Sequence, residues 1–219
     1  MKGKNLFLIG NLFLVAFVLW TVLVRIVDVG AIGPNGSAVG FATFNKFVHS
    51  FIGVHITLYT ITDWLGLVPF AVILGFAILG FAQWIKRKSI LNVDYNILVL
   101  GGFYIIVMAI YVLFEMVAIN CRPILINGCP EVSYPSSTTM LSMCVMPTAT
   151  VQFNARIKNI KLKKCVCFFC NAFTVFMVVG RLISGVHWVT DIIGGMLVSA
   201  GLVIMYRFVC SLKINRYML

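Results

Sequence analysis

The sequence predicts an all-α fold, an integral membrane bundle of six transmembrane helices plus an interfacial helix. Of the 219 residues, 61% are hydrophobic and only 11% are charged, whereas a soluble domain carries roughly a quarter charged residues. The mean hydropathy is +1.04, and the apolar residues gather in runs near the ~20 residues that a helix needs to cross a bilayer. These values exclude a water-soluble globule, a disordered chain and a disulfide-stapled secreted module.

Six apolar runs predict the spans, all within a single membrane domain over residues 1–219. They cover residues 6–24, 65–85, 95–114, 137–153, 166–180 and 188–208. The first run is too long for the apolar region of a signal peptide, so we expect a retained span. The fourth contains Ser, Thr and Pro147, which suits the inside of a bundle, where neighbouring helices satisfy hydroxyl groups.

Residues 41–62 predict a helix that lies on the membrane interface. Large apolar residues recur there at helical spacing, with polar residues such as Asn45 between them, as in helices that lie in the interface plane. We expect a structural role for His49 and His55. A seventh span at this place stays open as an alternative. Residues 30–40 carry Pro34, Asn and several Gly and predict a loop.

The 17 basic residues orient the six spans, because cytoplasmic loops are rich in Lys and Arg. With both termini cytoplasmic, one side receives thirteen of them and the other side four. The thirteen are Lys2, Lys4, Lys86, Arg87, Lys88, Arg156, Lys158, Lys161, Lys163, Lys164, Arg207, Lys213 and Arg216. The basic residues thus lie between apolar runs, which argues against nucleic acid as a partner.

Charged residues near the outer ends of spans are costly unless they face a polar cavity or one another. Arg122, Arg181, His187 and Asp191 all lie on the predicted outer side. If the sixth span begins near Gly185, the His and the Asp share one helix face. The carboxylate can then hold one imidazole nitrogen and leave the other as a nucleophile or base. A pair that merely joins two helices is the alternative.

The outer segments also favour a phosphate ligand. Two guanidinium groups beside a nucleophile suit phosphoryl oxygens. Residues 134–139, Tyr-Pro-Ser-Ser-Thr-Thr, open the fourth span with hydroxyl groups and free backbone N–H groups, which favour an anion. Three separate segments therefore supply groups that can bind phosphate.

These residues resemble the three signatures of the type-2 phosphatidic acid phosphatase superfamily of membrane lipid phosphatases. The signatures are Lys-x6-Arg-Pro, Pro-Ser-Gly-His and Ser-Arg-x5-His-x3-Asp. This chain has Glu115-x6-Arg122-Pro123, then Pro135-Ser136-Ser137-Thr138, then Gly180-Arg181-x5-His187-x3-Asp191. The resemblance covers about residues 60–208, and the third signature is the most specific.

The resemblance implies hydrolysis through a phosphohistidine, without metal or other cofactor. His187 would attack phosphorus, Asp191 would orient it, and the phosphoryl oxygens would be held by Arg122, Arg181, Ser136, Ser137 and Thr138. The implied substrate is a membrane lipid phosphate or isoprenyl diphosphate at the outer face of a plasma membrane. The lipid bilayer is the other expected partner.

Four positions depart from the family pattern. Thr138 replaces the His that acts as general acid, a loss that typically costs about 10²–10⁴-fold in rate. Glu115 replaces a phosphate-binding Lys; it either pairs with an Arg, turns away, or serves as the substitute acid if its pKa is raised by burial. Ser137 replaces a Gly, and Gly180 replaces a Ser.

Three interpretations follow, and one of another class. In the first, the protein is a phosphatase whose substrate has a good leaving group, such as the phosphate of a diphosphate. In the second, Glu115 supplies the missing proton. In the third, the chain is a catalytically impaired homologue that binds lipid phosphates or transfers phosphoryl groups. A small anion transporter is the alternative from another class. The sequence argues against it, because it has no repeated halves and no charged residues at the centres of the spans. Cys121 and Cys129 share one loop, and their pairing stays open; Cys167 and Cys170 are expected to be buried apolar groups rather than metal ligands.

Overall fold

The structure, a computed structural model, describes residues 2–216, and over these residues it confirms the all-α fold class. Met1 and residues 217–219 of the predicted single domain lie outside the described part. The helices in chain order are α1 (Lys2–Ile26), α2 (Ala42–Ile52), α3 (Ile56–Leu65), α4 (Leu67–Arg87), α5 (Tyr95–Met116), α6 (Ser137–Arg156), α7 (Ile160–Ile183) and α8 (Val189–Arg216).

Five stretches of the described chain are helical, long and apolar enough to cross a membrane, which makes this a multi-pass membrane protein. They are Gly3–Ile26, Ile56–Arg87, Tyr95–Met116, Ile160–Ile183 and Val189–Leu212. Helix α6 is not among them, so the number of six stays a prediction. It packs against α4, α5, α7 and α8, and its hydroxyl residues Thr139, Ser142 and Thr148 are buried. Protein, rather than lipid, therefore surrounds the polar helix.

The segment predicted as one interfacial helix forms two helices. Gly53, with φ of +73°, ends α2, and α3 begins three residues later and leads directly into α4. Phe44, Phe47 and Phe51 are exposed on one side of α2. On its other side the buried Asn45 donates to the carbonyl of Gly40 (2.8 Å) and to Thr190 Oγ1 (2.9 Å). Helix α2 is thus tied to the start of α8 and presents an aromatic face outward.

The helices bring four chain segments together at one end of the bundle. Helix α1 packs mainly against α8, and α6 against α7 and α8. The end of α7, the starts of α6 and α8, and the loop after α5 consequently meet. The principal apolar core lies beneath this end. Its most deeply buried members include Leu100, Val107, Met140, Cys144, Val145 and Ala149.

Candidate active site

The turn between α7 and α8 places His187 before α8, not within it. The sequence predicted the sixth span over residues 188–208, and a helix that began as early as Gly185 would put His187 and Asp191 on one helix face. In the structure Gly185 has φ of +67°, and α8 begins at Val189. Asp191 Oδ2 accepts from the backbone N–H of Trp188 (3.0 Å) and so caps the helix start. The helix therefore starts one residue after the beginning of the predicted run, and the condition of a start near Gly185 is not met because its positive φ interrupts the helical backbone.

This turn is fitted closely against the junction of α2 and α3. A Cβ at Gly185 would lie 1.9 Å from the carbonyl oxygen of Gly53. The N–H of His55 donates to the carbonyl of Ser184 (3.0 Å), and His49 Nε2 lies 3.1 Å from the carbonyl oxygen of Gly185. The segment predicted at the interface therefore fixes the loop that carries His187.

We expect Gly185→Ala to lower the free energy of unfolding by roughly 2 kcal/mol or more, because it combines a positive φ with a backbone overlap. Thermal unfolding in detergent, followed by fluorescence-detected size-exclusion chromatography, measures the change. Gly75→Ala is the matched control, since a Cβ there meets nothing within 4 Å. Equal melting temperatures for the two variants would contradict the close fit.

A chain of hydrogen bonds sets the tautomer of His187. Arg181 Nη2 lies 3.3 Å from His187 Nε2. Because a guanidinium can only donate, Nε2 accepts and Nδ1 carries the proton. Nδ1 then donates to Ser133 Oγ (3.0 Å), whose hydroxyl donates to Asp191 Oδ2 (2.5 Å). The nitrogen beside Arg181 is therefore the unprotonated one, and its lone pair accepts from the guanidinium.

Ser133 stands between the two residues that were expected to touch. His187 Nδ1 and Asp191 Oδ2 are 3.9 Å apart, beyond a hydrogen bond. Asp191 is fully buried, and its Oδ1 accepts from Asn120 Nδ2 (3.0 Å). The carboxylate thus orients the imidazole through a hydroxyl group instead of directly.

The imidazole of His187 is held in its neutral form. Burial of the ring and the positive charges of Arg181 and Arg122 lower the pKa of His187 well below its ordinary value of 6.5, against a smaller opposing effect of Ser133. At neutral pH the lone pair on Nε2 is consequently available to attack an electrophile.

Asn120 and Ser133 lie on a short hairpin between α5 and α6, and neither was predicted from the sequence. The hairpin pairs Cys121 with Val132, and its backbone bonds include Ser133 N–H to the carbonyl of Asn120 (2.9 Å). Residues 127 and 128, Asn-Gly, both have positive φ at its tip. An Asn-Gly pair is a strong hairpin signal, and it would have indicated that the chain reverses at residues 127–128, which brings the segment before the turn against the segment after it.

Two guanidinium groups and a hydroxyl offer donors at this site. Arg181 is 1% exposed. Four buried atoms have no hydrogen-bond partner among the described residues: Arg181 Nε, Arg122 Nε and Nη1, and Ser136 Oγ. Arg122 Nε lies 3.1 Å from Glu131 Oε2, a charge contact that lacks the angle of a hydrogen bond. Buried polar groups usually have partners, so these donors point to a ligand rich in acceptors.

The remaining predicted residues lie around this group. Ser137 and Thr138 are half-buried in the first turn of α6, and Thr138 Cγ2 would be 3.5 Å from a Cβ at Gly66. Glu115 is exposed near the end of α5 and lines a small cleft with Ser133 and Ser137. Among the described residues, Arg122 pairs with Glu131 rather than with Glu115.

The cysteines of the site loop are free. Cys121 and Cys129 on the hairpin are both free thiols, as are Cys167 and Cys170 in α7. Over the described residues, the structure shows no group of three His, Cys, Asp or Glu side chains placed to hold a metal ion.

The helical bundle shares its fold with a solved transmembrane PAP2-type membrane protein. Residues 117–213 match the family model of the PAP2 superfamily, which confirms the resemblance seen in the motifs. The solved structure described as the "first transmembrane PAP2 type phosphatidylglycerolphosphate phosphatase from Bacillus subtilis" resembles this chain in fold. Its TM-score is 0.57 at 19% sequence identity, covering 90% of this chain and 94% of that one. No curated protein matches the sequence significantly.

Proposed function

We propose that the protein is a membrane lipid phosphatase that hydrolyses a lipid phosphate or isoprenyl diphosphate through a phosphohistidine at His187. One observation carries the proposal. The unprotonated Nε2 of His187 lies 3.3 Å from Arg181 Nη2, so a phosphoryl group that takes over this guanidinium contact would lie beside the nucleophile. The family match over residues 117–213 supports the same activity.

The first step forms a bond between Nε2 of His187 and phosphorus and breaks the bond from phosphorus to the leaving oxygen. Arg122, Arg181 and Ser136 would stabilise the charge on the equatorial oxygens, since each has a buried donor without a hydrogen-bond partner among the described residues. The phosphorylated imidazole is cationic, and its Nδ1–H is stabilised through Ser133 by Asp191.

The second step hydrolyses the phosphohistidine. Water attacks the phosphorus, its proton passes to solvent or phosphate, and the bond from phosphorus to Nε2 breaks. Inorganic phosphate and neutral His187 result. Because the proton of the water leaves with solvent or phosphate, the residues of the protein return to their starting protonation state.

The bundle end that carries the site is opposite the end where most basic residues lie. Lys86 and Arg87 end α4, and Arg156 ends α6, on the far side from the starts of α6 and α8. Because basic ends remain cytoplasmic, we place the site at the outer face of the plasma membrane and both termini in the cytoplasm.

Thr138 favours a diphosphate over a phosphate monoester as the substrate. Cleavage of a monoester expels an alkoxide, which needs a proton donor. Cleavage of a lipid diphosphate expels a phosphate group, which needs little protonation. A threonine hydroxyl cannot donate as imidazolium does. Phosphatidylglycerolphosphate, the lipid for which the similar Bacillus subtilis phosphatase is named, is the competing monoester.

We expect purified protein in detergent to release phosphate from undecaprenyl diphosphate roughly tenfold faster, or more, than from phosphatidate or phosphatidylglycerolphosphate. Phosphate release over a matched range of lipid concentrations measures both kcat and KM. Faster turnover of either monoester would overturn the substrate preference. Phosphate release from none of the three would overturn the proposed hydrolysis and favour a lipid-phosphate-binding protein.

A further inference from the structure

Helix α3 forms a wall of the site that lies outside the three recognised signatures. The ring centroid of Tyr59 lies 5.0 Å from Arg181 Cζ and 5.6 Å from Arg122 Cζ. Both distances are within the range of a cation–π interaction. One aromatic ring on α3 therefore contacts both guanidinium groups that the site offers to a phosphoryl group.

Two further residues of α3 contact Arg181. Its Nη1 donates to Thr62 Oγ1 (3.4 Å) and lies 3.6 Å from Asp63 Oδ1. The Thr62 side chain is buried, whereas 56% of the Asp63 side chain is exposed. Tyr59, Thr62 and Asp63 lie three and four positions apart, so they share the face of α3 that packs on α7.

Gly180 allows this approach of α3 to α7. A Cβ at position 180 would lie 2.8 Å from Thr62 Cγ2 and 3.8 Å from Leu58 Cδ1. Gly180 stands where the resemblance leads one to expect Ser, and the structure gives this departure a physical reason. Because Gly180 has no side chain, α3 comes close enough for Tyr59 to contact Arg181, the next residue along α7.

We propose that Tyr59 is a positioning residue that holds the guanidinium groups of Arg122 and Arg181 against one aromatic ring as a preformed clamp for a phosphorus oxyanion. This rests on the proposed function, because it concerns how the same site binds its substrate. Two like charges repel at short range, and long side chains lose rotamer freedom when they are held. A shared ring offsets both effects before the ligand arrives.

We expect Tyr59→Leu to weaken orthovanadate binding and raise KM roughly tenfold, since each lost cation–π contact removes part of the free energy that orders the clamp. Tyr59→Phe keeps the ring and should remain within about twofold of the wild type. Orthovanadate is the probe because it forms an oxyanion like the phosphoryl group, and its stabilisation of the purified full-length protein against thermal unfolding gives an affinity without turnover.

A second pair of variants tests the approach of α3. Gly180→Ala introduces the overlap with Thr62 and should weaken vanadate binding in the same direction as Tyr59→Leu. Gly75→Ala in α4 is its control, because a Cβ there has open space. Unchanged vanadate affinity in Gly180→Ala, with a normal melting temperature, would contradict the role given to this glycine.

If Tyr59 contributed only to the packing of the fold, its variants would give a different result. Loss of packing would reduce the folded fraction and the apparent kcat but leave KM and the vanadate affinity of the folded protein unchanged, which would overturn the proposal. Equal losses in Tyr59→Leu and Tyr59→Phe would also overturn it, because the hydroxyl group and not the ring face would then be responsible.

The inference and the proposed function can fail separately. If the wild type hydrolyses none of the lipids but binds orthovanadate, the hydrolysis proposal fails, and the vanadate affinities of the Tyr59 variants alone decide the inference. If the wild type turns over lipid and Tyr59→Leu matches it in KM and vanadate affinity, only the inference fails. A wild type that neither hydrolyses lipid nor binds vanadate overturns both.

Discussion

Replacing His187 by alanine is expected to reduce phosphate release by at least about 10³-fold, because the variant lacks the atom that forms the covalent intermediate. The imidazole is buried and neutral, and its unprotonated Nε2 faces Arg181. Phosphate release from the best lipid of the panel measures the loss. Acid-labile labelling of the protein by a radioactive substrate should vanish in the same variant.

The matched control for this substitution is His55→Ala. His55 is exposed, and among the described residues the one hydrogen-bond contact of its ring joins Nε2 to the nearby carbonyl of Ile52 (3.0 Å). Its removal should leave turnover within about twofold of the wild type. If His187→Ala also retained wild-type turnover, the phosphohistidine proposal would have to be abandoned.

Replacing Thr138 by histidine is expected to raise the turnover of phosphate monoesters by about 10²–10⁴-fold, the usual contribution of a general acid. Thr138 is half-buried in the first turn of α6, beside Ser136 of the proposed phosphate site. An imidazolium there could protonate a leaving alkoxide. Turnover of a diphosphate should change far less, because its leaving group needs little protonation.

Thr138→Asn separates proton donation from side-chain size. Its amide is polar and cannot act as an acid, so monoester turnover should stay near that of the wild type. Parallel measurements on phosphatidate and undecaprenyl diphosphate supply the comparison. An equal gain of Thr138→His on both lipids, or an equal gain in Thr138→Asn, would contradict the argument that the missing acid determines the substrate.

The helical architecture could be predicted because its signals are local. The predicted runs 65–85 and 95–114 correspond to α4 (Leu67–Arg87) and α5 (Tyr95–Met116), since an apolar run of bilayer length leaves few other folds. The break at Gly53 was missed because apolar spacing continues across it, while the chain direction changes through a positive φ that periodicity cannot report.

The site could be predicted only where spacing carried information. Arg181, His187 and Asp191 are close in sequence, and the structure brings them together with Arg122 and Ser136. Ser133 was missed because it comes next to His187 through the pairing of a hairpin, not through helical spacing. Tyr59 could not be found, since the approach of α3 to α7 depends on the absence of a side chain at position 180.

The polar character of α6 has a consequence for how the protein is made. This helix is not among the stretches that are long and apolar enough to cross a membrane by themselves. Its first turn nevertheless holds residues proposed to bind phosphate. Because α6 packs mainly against α7 and α8, we expect it to be buried only after these two helices have been synthesised. A ribosome-bound nascent chain that stops before α7 should therefore leave α6 accessible to water-soluble thiol reagents at Cys144, and a chain extended through α8 should protect it.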